Sequence, residues 1–203
     1  MKNMAQFLPF LDDDAIDELI TKVENGEETN FNLAALMPFA NDNHLQRIFN
    51  SRIAKGLDVS FMMPFVNESV LNHFVLDVVN GKVTYNQPLT TFLPFISGEI
   101  TNALYTFVDE QGGIHNGLSL SNLMPFVDDH ILDERFIISA KNGQIRKEMV
   151  PFVSDEALDQ LVNSYLNGEL DLDLDILLPF LSKEQVRKVF TYEMNKQSNE
   201  SNT

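Results

Sequence analysis

Cysteine is absent from the 203-residue chain, which removes disulfides, thiolate metal sites and a cysteine nucleophile from its chemistry. Cationic side chains are scarce: 14 Lys and Arg stand against 30 Asp and Glu, a formal net charge of −16. Nucleic acid and anionic membrane surfaces both call for clustered Lys and Arg, so neither is an expected partner. No apolar run approaches the roughly 18 residues of a membrane span. The opening MKNMAQFLPF also lacks the basic region and apolar core of a signal peptide. The expected setting is therefore soluble and cytoplasmic. Motifs that cradle phosphate or present a nucleophile are missing too, with no GxGxxG, GxSxG or HExxH and no Walker-type glycine loop. With 44% of its residues hydrophobic, the chain is nevertheless long enough to bury roughly 70% of its unfolded surface.

What is abundant is one dipeptide. Pro-Phe occurs seven times, at Pro9, Pro38, Pro64, Pro94, Pro125, Pro151 and Pro179, always after Leu, Met or Val; the spacings are 29, 26, 30, 31, 26 and 28 residues, and only Pro88 stands outside the series. A period near 28 marks one supersecondary unit repeated and stacked on itself. Three residues after each proline stands a preferred helix N-cap: Asp12, Asn41, Asn67, Ser97, Asp128, Ser154 and Ser182. At least one acid follows within two residues of every cap, where the helix dipole favours it. Seventeen or eighteen residues after the first six prolines come Gly26, Gly56, Gly81, Gly112, Gly143 and Gly168. These predict left-handed C-termini of three-turn helices.

Between cap and glycine the apolar residues recur at helical spacing. Ile16, Leu19, Ile20 and Val23 do so in the first unit, Leu71, Phe74, Val75 and Val78 in the third, and Leu158, Leu161, Val162 and Tyr165 in the sixth. Each unit thus predicts an amphipathic helix, A. The segment after each glycine, as in LSLSNLMPF, predicts a shorter helix, B, with proline either ending it or in its first turn. Phe is expected to be the apolar plug of the corner between B and the next A. The fold class read from the sequence is all-α, a right-handed-type α-solenoid of about six two-helix repeats with terminal half-repeats. One helical-repeat domain is expected over 1–195, with repeats starting near 11, 40, 66, 96, 127, 153 and 181 and a disordered polar tail at 196–203.

Over residues 4–195 the pattern resembles, in architecture, the two-helix solenoid repeats of the HEAT and armadillo class, although the unit is shorter than their roughly 40–47 residues. That resemblance implies an extended surface presented to another protein.

The other constellations are read as structural. His44, His73, His115 and His130 form no i, i+4 pair and are expected at the surface. Asp171, Asp173 and Asp175 space like calcium-loop ligands, but Ile176 replaces the required Gly and Ser182 the required Glu. GGIHNG at Gly112 to Gly117 reads as a flexible connection. No cofactor or metal site is expected.

Of the 30 acids, 11 stand in caps or first turns, where helix physics alone accounts for them. One departure from the repeat carries more. Twelve and thirteen residues after the proline, on the outer side of A, the peripheral units hold Thr21, Lys22, Asn50, Ser51, Asn163 and Ser164, but the central ones hold Leu76, Phe107, Ile137 and Ile138. These four are candidate partner-binding residues, unless curvature of the stack buries them. The expected function is a non-enzymatic protein–protein interaction scaffold or adaptor, its partner another protein or a second copy of itself. The alternative is an acidic inhibitor or immunity-type protein that binds a basic partner or mimics nucleic acid.

Overall fold

The computed structural model describes residues 4–25, 32–112 and 115–200. Among them the protein is all-α, with eight α-helices and nine 3-10 segments and one isolated antiparallel bridge, His115 to Leu118. The chain divides into two compact units, Met1–Ser119 and Leu120–Thr203. The first contains α1 (Asp13–Glu24), α2 (Asp42–Ala54), α3 (Glu68–Val79) and α4 (Gly98–Gln111). The second contains the four-residue α5 (Leu120–Leu123), then α6 (Asp129–Lys141), α7 (Asp155–Leu166) and α8 (Lys183–Glu200). Packing is sequential within each: α1 on α2 in the first, α6 on α7 and α7 on α8 in the second. α8 extends through the first residues of the polar stretch that begins at 196.

The long helices begin and end where the repeated caps and glycines put them. Asp12, Asn41, Asn67, Ser97, Ser154 and Ser182 each accept a backbone N–H of the first turn. Asp128 precedes α6 in the same extended conformation. At the C-terminus of α6, Gly143 has φ +74°; its N–H donates to the Ala140 carbonyl, and that of Gln144 to Ser139. These two bonds satisfy carbonyls the helix leaves open, and they need the left-handed residue between them. The same pair of bonds closes α2, α3 and α7. Gly26 lies outside the described residues.

The expected helix B is instead mostly a 3-10 turn. Only Leu120–Leu123 is α-helical; the other connections are 3-10 segments such as Met4–Phe10, Met37–Phe39, Leu89–Phe95, Lys147–Phe152 and Leu178–Phe180. A proline near the end of so short a stretch removes an N–H and crowds the carbonyl four residues back, which favours the tighter i→i+3 bonds over a continued α-helix. Both placements of proline occur. It is second in Met37–Phe39, Met124–Phe126 and Leu178–Phe180, and next to last in Met4–Phe10, Leu89–Phe95 and Lys147–Phe152.

The expectation that Phe plugs the corner is overturned. Phe10, Phe39, Phe65, Phe126, Phe152 and Phe180 are exposed and Phe95 is half-buried. The plug is the residue before the proline: Leu8, Met37, Met63, Leu93, Met124 and Val150 are buried, and Leu178 alone is not. The chain passes into extended cap residues directly after Phe, and the ring stays on the outer side of the corner.

Polar clamps join successive units at one recurring register, eight residues after the proline. Asn72 accepts the Ser97 N–H at 3.0 Å, and Asp133 accepts the Ser154 N–H at 2.8 Å and its hydroxyl at 2.6 Å. Asp159 accepts from the Gln185 amide at 2.6 Å. Each holds the cap region of the next helix. In the first unit the same register, Asp17, receives Arg47 of α2 at 2.6 Å, and the guanidinium also pairs with Glu24 at 2.8 Å. An aromatic cluster fills the middle of this unit, Phe74 lying 5.2–5.3 Å from Phe49, Tyr85 and Phe92.

Candidate functional site

The most regular surface feature is the set of Pro-Phe corners. All seven prolines are exposed, and six of the seven phenylalanines are exposed beside them, Phe10 to 86%. Phe10 forfeits most of the about 1.5–3 kcal/mol that full burial of a phenyl ring contributes, and the other five, 36–43% exposed, forfeit part of it. Repetition at six of the seven corners marks a surface apolar by construction.

In the second unit the geometry of this surface is explicit. The 3-10 segments Met124–Phe126 and Lys147–Phe152 lie against one another. A groove of about 350 Å³ runs between Pro125 on one side and Pro151 and Phe152 on the other, with Leu132 and Val127 in its wall and Asp129 at its edge. Next to each exposed ring come exposed carboxylates of the first helical turn: Asp12, Asp13 and Asp14 after Phe10, Asp128 and Asp129 after Phe126, Asp155 and Glu156 after Phe152. Apolar rings and negative charge thus alternate along the chain.

A second groove, of about 660 Å³, lies between α2 and α3 of the first unit. Phe49 and Phe74 line it, along with Asn50, His73 and Asp77. Two of its polar groups are engaged: His73 Nδ1 lies 2.6 Å from the Ser69 carbonyl, and Asp77 pairs with Lys82 at 2.9 Å.

The four residues expected to form a central stripe are placed differently from one another. Leu76 and Phe107 are half-buried in the first unit; Ile137 is half-buried and Ile138 exposed in the second. Phe107 packs edge-on against the His115 ring, 5.0 Å between centroids.

His115 belongs to a turn that is not the flexible connection expected. Its N–H and carbonyl both bond to Leu118, at 2.9 and 2.8 Å, around Asn116 and Gly117, both with positive φ. A Cβ on Gly117 would meet the Pro88 side chain at 3.2 Å. The Asn116 carbonyl accepts the Leu89 N–H, so the turn is stitched to the segment that begins at the one proline outside the repeat. Gly113 and Ile114 lie outside the described residues.

His44 also departs from expectation, being buried in α2 with its Nδ1 unpartnered and its Nε2 3.6 Å from Asp17. His73 and His130 are exposed. Asp173 caps the 3-10 turn Leu174–Ile176 through the Asp175 N–H, and Leu172 is buried beside it. Among the described residues no group of three or more His, Asp or Glu is arranged to hold a metal, and no helix is long and apolar enough to cross a membrane.

Three features go beyond what the sequence predicts. The outward Phe could not be told from its inward neighbour, because Leu-Pro-Phe offers two apolar residues and hydropathy does not choose between them. The clamps at Asn72, Asp133 and Asp159 did have a signal, a polar residue at one fixed register. No such register marks Tyr165, whose hydroxyl donates to Glu193 across α7 and α8. That bond, with burial second, pushes the phenol up to about 12. No protein-family model, curated protein or solved structure matches the chain.

Proposed function

We propose that this protein is a non-enzymatic protein-interaction scaffold whose helical units stack as an α-solenoid and whose Pro-Phe corners form the partner-binding face. The observation that carries this reading is the repeated exposure of Phe beside an exposed Pro, with consecutive corners bordering one groove in the second unit. A large apolar ring held on a rigid corner contributes contact area at little cost in conformational entropy, which is how interface anchors work. The carboxylates beside each ring favour a basic partner, so the acidic-binder reading becomes a property of the same face. The half-exposed Leu76, Phe107, Ile137 and Ile138 are a separate candidate surface.

The test is affinity capture from native cytosol with the wild-type protein, a Phe126→Ser, Phe152→Ser protein and a Phe107→Asp, Ile138→Asp protein, at about 0.1 M and about 0.5 M salt. A partner lost only with the first variant assigns binding to the corners. If that variant retains every wild-type partner, the corner reading is wrong; loss with the second variant alone moves the site to the Ile138 surface. A partner released by salt from all three proteins binds through charge.

A further inference from the structure

The repeated units leave two matching faces uncovered, one at each end of the series. Consider first the residue two places before the proline. Leu36, Met62, Phe92, Leu123, Met149 and Leu177 are all 0% exposed, yet Phe7 in the same position is 47% exposed. In the inner units the 3-10 segment lies against the helix before it, Leu89–Phe95 on α3 and Lys147–Phe152 on α6. Met4–Phe10 has no such helix among the described residues.

The opposite face is open on α8. Seven residues after the proline, Ile16, Leu45, Leu71, Thr101, Leu132 and Leu158 are buried, and the residues four further on are buried as well. In α8 these positions are Val186 and Phe190, apolar as the pattern requires, but 36% and 63% exposed, with Met194 one turn beyond at 54%. Among the described residues no α-helix precedes α1, which still buries both positions; α8 exposes both. The face therefore belongs to the unit that follows, and α8 presents it uncovered. Three large apolar residues at i, i+4, i+8 on a solvent face have no role in the monomer's own core.

Charge agrees with the fit. Eight residues after the proline, where Asp133 and Asp159 hold the next cap region, α8 carries Arg187. The next cap in a continued series is Asp12, a carboxylate where the clamped caps Ser97 and Ser154 are hydroxyls. α8 holds four of the chain's 14 cationic side chains, Lys183, Arg187, Lys188 and Lys196, against three acids, and Lys188 pairs with Glu184 at 2.9 Å. The first unit opens with exposed Asp12, Asp13 and Asp14. A uniformly acidic chain would repel its copy; these two ends attract.

We propose that the uncovered face of α8 binds the Met4–Phe10 segment of a second copy of this chain, head to tail, repeating between molecules the contact that each unit makes within one. The inference rests on the stacked-repeat reading above but uses neither the Pro-Phe groove nor its partner, so either can fail alone. Such an interface is heterologous, and molecules joined by it add in series. One repeat contact is small, which places the affinity at micromolar or weaker.

The experiment is sedimentation equilibrium of the full chain from about 10 µM to about 1 mM, the range that a micromolar-or-weaker contact demands. Phe7→Asp and Phe190→Asp proteins are run separately and as an equimolar mixture. Both substituted positions are exposed, and circular dichroism checks that each variant keeps the wild-type helix content; Met194→Asp stands in if Phe190→Asp does not. The wild-type mass is expected to climb with concentration above 23.1 kDa, each variant alone to stay there, and the mixture to reach a dimer and stop. That last result is specific, because each variant supplies the half its partner lacks. A wild-type mass fixed at 23.1 kDa up to the highest concentration overturns the proposal, and so does self-association of Phe7→Asp undiminished from the wild type, which would pair α8 with α8.

Discussion

Met124 and Phe126 flank one proline in a single turn, and only Met124 is inside. Hydropathy ranks the two alike, so the difference lies in direction: the turn aims the residue before the proline at the core and leaves the residue after it on the corner. A buried Met truncated to Ala loses its transfer free energy and leaves a cavity, costing about 2–5 kcal/mol. Phe126, 38% exposed, gives up only part of a full burial when truncated to Ala and leaves no enclosed cavity, a cost of about 1 kcal/mol. Urea unfolding of Met124→Ala and Phe126→Ala is therefore expected to separate them by a clear shift of midpoint, Met124→Ala the lower. Equal losses would mean that the ring, not the thioether, fills the corner. The inter-unit clamps act at the same scale. Asp133 takes both hydrogen bonds that Ser154 offers, and no property of Asp133 beyond its register announces it.

Helix ends were legible in the sequence because their physics is local: an N-cap oxygen, a first-turn acid and a left-handed glycine act within four residues of one another. The nature of B was not, since a proline in a short apolar segment permits an α-turn or a 3-10 turn until packing chooses. The candidate surface was half legible, its position given by the period and its orientation not. Contacts between helices lie further out of reach, and the Tyr165–Glu193 bond is one that titrates. Its phenol is held at about 12, above the ordinary 10, so the folded state grips that proton more tightly than the unfolded chain does. The contribution is complete below pH 10 and drains away as pH rises through 12. The stability advantage of wild type over Tyr165→Phe is expected to be constant up to about pH 10 and to shrink between there and about pH 12. Thermal unfolding of both proteins across that window measures it, and an advantage that persists undiminished at pH 12 would remove Glu193 as the cause.

For the molecule as a whole, 16 uncompensated negative charges repel one another over distances that salt controls. At about 0.01 M ionic strength the screening length is about 30 Å, and at 0.1 M about 10 Å. Two effects then compete as salt is added. The Arg47 network, with Asp17 and Glu24 on α1, is partly exposed and weakens. Repulsion among first-turn carboxylates, present at every repeat, weakens as well, and there are 30 acids against 14 bases. Partly exposed pairs contribute about 0–1 kcal/mol each, so relief of the excess charge should win by about 1 kcal/mol, a rise of about 2–4 °C in Tm for a chain this size. The measurement is Tm of dilute Phe190→Asp protein, in which head-to-tail association is blocked, at the two salt concentrations. A fall in Tm would mean that ion pairs rather than burial hold the units together. A rise means that the excess charge costs stability although each first-turn acid suits its own helix dipole, and under the proposed function the carboxylates beside the exposed rings are kept for a basic partner.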